Sequence, residues 1–176
     1  MRLYHYTTIH HGLQIIASEL INTTASNLRI PKHLHLNAEG TAYVDEETDG
    51  FHPVVWLTST PNAATPDLGS TDTPIESKTA VRIAVEKTKD MYPWAPWAKR
   101  HGIDRRFFEA LKRNMPDWPN VYVCERPIPA TEFAEIAMSV HWLRKDAEMY
   151  HRMLDIIPSI KDYSDDDTVI VSGLPR

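Results

Sequence analysis

A chain of 176 residues with 42% hydrophobic and 24% charged residues is long enough for one domain with its own core and too apolar for wholesale disorder. Its formal charge of -5 and pI near 6.0 argue against a broad nucleic-acid-binding surface, though not against a local basic patch, and point to small molecules or proteins as partners. A single cysteine, Cys124, excludes an internal disulfide and a multi-cysteine zinc site, and no apolar run approaches the ~18 residues of a membrane span, so a non-exported, cytoplasmic protein is expected.

Thirteen prolines against six glycines predict rigid loops and short elements. Residues 2–6 alternate as a strand, with Leu3 and His5 on one face and Tyr4 and Tyr6 on the other. Thr7 or Thr8 then caps a helix over 9–20, where Ile9, Leu13, Ile16 and Leu20 form an apolar stripe, and a short extended piece follows at 20–22. Between residues 23 and 50, Pro31, Asn37, Gly40, Asp49 and Gly50 punctuate an irregular connection that reads as a lid, with a minor strand at 41–44. The near-continuous apolar run Val54-Val55-Trp56-Leu57 is a strand covered on both faces, and Thr58-Ser59-Thr60-Pro61-Asn62 turns the chain sharply after it. A polar loop over 61–77 leads to a strand at 79–85, where Val81, Ile83 and Val85 share one face. Arg82, on the other, needs solvent, a carboxylate or a bound anion.

Pro93 and Pro96 interrupt the aromatic segment Tyr92-Pro93-Trp94-Ala95-Pro96-Trp97, which is expected to pack its rings on the core or on another protein. Asp104 caps a helix to about Asn114 with Phe107, Phe108 and Leu111 as its stripe. A strand over 121–125, a helical turn from about Thr131 and a last core strand over 135–140 follow. Leu143, Ala147, Tyr150, Leu154 and Ile157 then predict one C-terminal helix over 143–157, ended by Pro158. Asp165-Asp166-Asp167 is a solvated acidic turn, since it lacks the spaced ligands and glycine of a calcium loop. His10-His11 and His33-Leu34-His35 lack a companion carboxylate signature and read as solvated histidines, so no metal site is expected. A single domain over 1–176 results, its core at about 1–142.

Leu3-Tyr4-His5-Tyr6-Thr7-Thr8, the helix carrying Leu13-Gln14-Ile15-Ile16, and Val54-Val55-Trp56-Leu57-Thr58-Ser59 together resemble the ADP-ribosyltransferase-like superfamily. The similar branches open with a His-Tyr-Thr or His-Gly-Thr strand: RNA 2′-phosphotransferases, DNA-modifying toxins and polymorphic toxins. The layout extends over roughly residues 1–140, and the close matching over 3–8 and 54–60. What the resemblance implies is an α+β fold of two packed antiparallel sheets with a central cleft and flanking helices. It implies NAD as substrate and transfer of ADP-ribose to a macromolecular target, nucleic acid or protein. His5 would orient the ribose beside Tyr6 and Thr7, and Trp56, Thr58 and Ser59 would shape the nicotinamide pocket. Glu125, with Glu132 as the alternative, would steady the positive charge that develops on the sugar as nicotinamide leaves. The family's acid usually stands nearer the start of its strand, where this chain has Asn120 and Val121. Two alternatives stay open: 2′-phosphotransferase chemistry, in which Arg82 and further arginines bind phosphate, and a non-catalytic interaction module docking partners through residues 92–97.

Overall fold

The computed structural model describes residues 1–24, 34–36, 43–45, 53–61, 78–103, 108–109, 112–113 and 117–171. Its frame is a seven-stranded antiparallel sheet in the order β11-β10-β6-β1-β5-β8-β7. In chain order these strands are β1 (Arg2–Thr7), β5 (Val55–Thr58), β6 (Val81–Glu86), β7 (Met91–Pro93), β8 (Val121–Cys124), β10 (Phe133–Ser139) and β11 (Thr168–Ile170). Two short ribbons stand apart: β2 (Leu20–Ile21) with β9 (Ile128–Pro129), and β3 (Leu34–Leu36) with β4 (Tyr43–Asp45). The α+β class with antiparallel pairing is therefore observed. The strands are divided unevenly, into one large sheet and small ribbons.

The opening segment becomes β1, near the middle of the large sheet, because Leu3 and Thr7 bury one face between β6 and β5. Thr8 caps α1 (Ile9–Ser18), its hydroxyl accepting from the His11 backbone N–H at 3.2 Å. The helix ends at Glu19, which adopts φ 54 in the left-handed region, so Leu20 belongs to a strand instead of the helical stripe. Gly12 lets this helix lie directly on the sheet: a Cβ there would stand 2.7 Å from Val81 Cγ2.

The interrupted aromatic segment is more regular than its prolines suggest. Tyr92 and Pro93 close β7, and α2 (Trp94–Arg100) starts at once. Pro96 falls in the first turn, where a backbone N–H has no intrahelical partner to lose. Trp94 and Trp97, one turn apart, are both buried. Of the helix expected from Asp104, Phe108, Glu109, Lys112 and Arg113 are helical; the rest lies outside the described residues. Outside them too lie the loop at 62–77, most of the proposed lid and His33, as do the side chains of β3 and β4.

The single helix expected over 143–157 is corrected to two, α3 (Val140–Lys145) and α4 (Ala147–Ile156). Asp146 makes the break, its carboxylate accepting from the Met149 N–H at 3.0 Å and so acting as cap in place of a helix interior. A further strand, β11, follows the acidic turn and pairs with β10, so β10 is not the last. In that turn Asp167 accepts from Ser164 N–H at 2.6 Å and Asp165 pairs with Arg144. No helix among the described residues is long and apolar enough to cross a membrane.

Candidate functional site

Strand alternation sorts the candidate residues onto two faces of the sheet. Register partners His5↔Ile83 and Thr7↔Val81 place His5 and Thr7 on the face that carries Leu3, Val85 and Met138 and is covered by α1, α3 and α4. Continuing the pairing Tyr4↔Thr58 along β1 and β5 puts Leu57 opposite His5, and Leu57 pairs in turn with Tyr122. One row therefore reads Ile83, His5, Leu57, Tyr122. Tyr122, half-buried against the same core, was not among the expected site residues; its alternation in β8 with the buried Val121 and Val123 was the available signal. At roughly 4.8 Å per strand it stands about 10 Å from His5.

His5 is half-buried, with Nδ1 3.0 Å from the Trp56 carbonyl oxygen. A carbonyl only accepts, so Nδ1 carries the proton and Nε2 keeps its lone pair. Burial pushes the imidazole pKa below its ordinary 6.5; the bond to Trp56 works against this, and nearby His11 adds to it. The ring is thus neutral at pH 7, in one tautomer, with no hydrogen bond to Nε2 among the described residues. Thr7, only 8% exposed, lies on the same face two residues on, just before the start of α1.

Tyr6, Trp56, Thr58 and Arg82 lie on the opposite face. The ring centroid of Trp56 is 4.8 Å from that of Trp94, in a second cluster with Trp97, Val121 and Val123. Tyr6 donates its hydroxyl hydrogen bond to the carbonyls of Pro61 at 2.5 Å and Thr60 at 3.3 Å. Arg82 donates from Nη1 to the Pro61 carbonyl at 2.9 Å and from Nη2 to Glu135 Oε1 at 2.7 Å, with its guanidinium 5.5 Å over the Tyr4 ring. Of the three partners open to Arg82, a carboxylate is the one it has. Burial lowers the Arg82 pKa, and Glu135 outweighs it, so the guanidinium stays charged.

Thr58 donates to Asp117 Oδ2 at 2.9 Å and accepts from the Thr60 N–H at 3.1 Å, while Asn120 donates to Asp117 Oδ1 at 2.5 Å. Ser59 donates its N–H to the Asn120 carbonyl at 2.9 Å. Burial raises the Asp117 carboxyl, and hydrogen bonds from Thr60, Asn120 and Thr58 more than reverse it, holding the group below the usual carboxylate range. The turn at 58–61 is thereby tied from both sides, and the hydroxyl of Thr58 is consumed within the fold.

The two candidate acids lie elsewhere again. Glu125 follows the end of β8; its Oε1 accepts from Trp97 Nε1 at 2.8 Å and stands 3.1 Å from His101 Nε2, on the α2 side of the sheet. Glu132 is closed in a two-point pair with Arg126, Oε1 to Nη1 and Oε2 to Nη2 both at 2.9 Å, and Arg126 also holds Asp90. Those carboxylates raise the Arg126 pKa, while Thr88 and then Arg126 lower that of Asp90. The expected convergence of His5, Trp56, Thr58, Arg82 and Glu125 on one surface is corrected: the strand period of two separates His5 and Thr7 from the rest. Comparisons of the chain with protein-family models, with curated proteins and with solved structures find no match.

Proposed function

We propose that the chain is an NAD-dependent ADP-ribosyltransferase-like protein acting on a macromolecular target, with its NAD site on the His5 face of the sheet. The single observation that carries this reading is the fixed, neutral His5, whose Nδ1–H is committed to the Trp56 carbonyl and whose Nε2 remains an acceptor. Such a nitrogen accepts from a ribose hydroxyl without burying a charge against the core. Thr7, beside it, supplies a hydroxyl, so that His5 holds the sugar and Thr7 a neighbouring oxygen.

A second reading, a non-catalytic interaction module on the same scaffold, is favoured by one observation: Glu125 and Glu132 are engaged by Trp97 with His101 and by Arg126, respectively. The 2′-phosphotransferase alternative loses support because Arg82 is committed to Glu135 and the Pro61 carbonyl. Purified protein incubated with NAD, then with labelled NAD and lysate, separates the readings. NAD binding that is lost in His5→Ala, together with label transferred to a macromolecule, supports the enzyme. NAD binding without transfer supports the non-catalytic module, and absence of NAD binding by the intact protein overturns the proposed site.

A further inference from the structure

The seven-stranded sheet has two outer strands, and they are finished differently. At β7 the edge is blunted: Pro93 carries no N–H, and the chain turns at once into α2. At the other edge β11, Thr168-Val169-Ile170, has neither proline nor charge. We propose that β11 is an interaction edge that pairs antiparallel with β11 of a second copy of the chain, joining two sheets across a two-fold axis in a contact that does not depend on the NAD site proposed above.

The backbone shows which bonding groups are left over. Val171 donates its N–H to the Ile136 carbonyl at 2.6 Å, and Val140 donates to the Asp167 carbonyl at 3.1 Å, so Asp167, Val169 and Val171 turn their bonding groups toward β10. Antiparallel ladders alternate, and the N–H and C=O of Thr168 and Ile170 therefore point away from the sheet, with no strand beyond them among the described residues. Their side chains are bare as well: Thr168 is exposed, and Ile170, at 56%, is one of three large apolar residues left in water among the described residues. Val169 and Val171, both buried, anchor the same strand in the core, so the edge is presented already extended and its pairing costs little ordering.

Charge and spacing select a second copy as the occupant. Asp165, Asp166 and Asp167 stand at one end of β11 and the uncharged Val171 at the other. Pairing about a two-fold axis at Val169 sets Thr168 opposite Ile170 of the partner subunit and Asp167 opposite Val171 of the partner subunit, so the two acidic turns lie at opposite ends of the seam. Parallel pairing would bring acid against acid. Asp165 is already taken by Arg144, and Asp167 by the N–H and hydroxyl of Ser164, which leaves a basic peptide little to recognise. In the two-fold seam the outward N–H and C=O of Thr168 and Ile170 each meet their complement, and β-branched side chains face one another across it.

The test is sedimentation of the wild-type chain over a concentration series, with hydrogen exchange read at single amides. A short seam makes a weak dimer, so the mass should rise from one chain to two between about 1 and about 500 µM protein. Exchange at the Thr168 and Ile170 amides should slow about tenfold at the upper concentration, whereas the Val171 amide, bonded to Ile136, is slow throughout. Ile170→Lys and, separately, Thr168→Lys place a charge on the outer edge and should keep the chain monomeric with an unchanged thermal midpoint, since both positions are exposed. A chain that stays monomeric at the upper concentration, a dimer indifferent to both lysines, or a dimer whose Thr168 and Ile170 amides exchange as fast as in the monomer would each overturn the proposal. So would a monomer in which those two amides are protected only by an added lysine-rich extended peptide, a result that gives the edge to a peptide instead of a second copy.

Discussion

The two faces of the central sheet differ in what their polar groups are free to do. On the Tyr6 face nearly every polar side chain of the candidate set has an internal partner: Arg82 has Glu135, Thr58 has Asp117, Tyr6 has the carbonyls of the 60–61 turn. On the His5 face the strands bring apolar residues to the core, and His5 and Thr7 are the exceptions. Groups bonded within the chain hold a fold together, whereas the open Nε2 of half-buried His5 is left for a ligand; on the Tyr6 face the buried Arg82 Nε is the exception among the described residues. That contrast moves the candidate site from the aromatic-rich face, where Trp56 drew attention, to the quieter one.

The largest expected effect lies on the Tyr6 side. Trp97→Ala removes a fully buried indole and the donor to Glu125, and should cost about 3–5 kcal/mol in urea unfolding. If the loss is small, the second cluster is not a core and the comparison of faces fails. Next comes a pair of substitutions read by NAD titration: His5→Ala should weaken binding about tenfold, the equivalent of one hydrogen bond. Trp56→Phe, on the opposite face, should leave NAD affinity within about twofold; a larger effect than that of His5→Ala would return the site to the Trp56 face.

Thr58→Val tests the tied turn. Loss of its bond to Asp117 should cost about 1 kcal/mol. Since the folded Asp117 pKa lies below its unfolded value, the stability it contributes is present above the ordinary carboxylate pKa of about 3.8 and is lost as pH falls below it. The acid limb of a pH–stability curve should therefore be shallower in Thr58→Val. The smallest effect belongs to His5. Its pKa is depressed on folding, so stability is complete above about 6.5 and declines as pH falls from there toward the folded value. His5→Gln should flatten that decline below about pH 6.5, measured by thermal midpoint.

Much of the fold was legible in the chain because its signals are local. Alternation in residues 2–6 gave β1 and its two faces, the Thr7-Thr8 pair gave the cap of α1 without choosing between them, and the apolar runs gave β5, β6 and β8 within a residue or two. Signals that compete were misjudged: Glu19 ends α1 before Leu20, Asp146 splits the C-terminal helix, and the prolines of 93–96 start α2 where they were expected to interrupt order. The three-residue β11 is too short to carry a period of its own and exists through its pairing with β10.

By itself the sequence determined that His5 and Thr7 share a strand face and that Tyr6 lies opposite, because side-chain direction in a strand depends only on parity. Tertiary structure alone decided which residues from other strands join them. Register across β1, β5 and β8 brought Tyr122 into the row of His5 and turned Trp56 away, while Glu135 took Arg82, and Trp97 with His101 took Glu125, into the fold's own bonding. Pairing between strands as distant in the chain as β1 and β6 is set by the packing of the whole sheet, which no local pattern encodes.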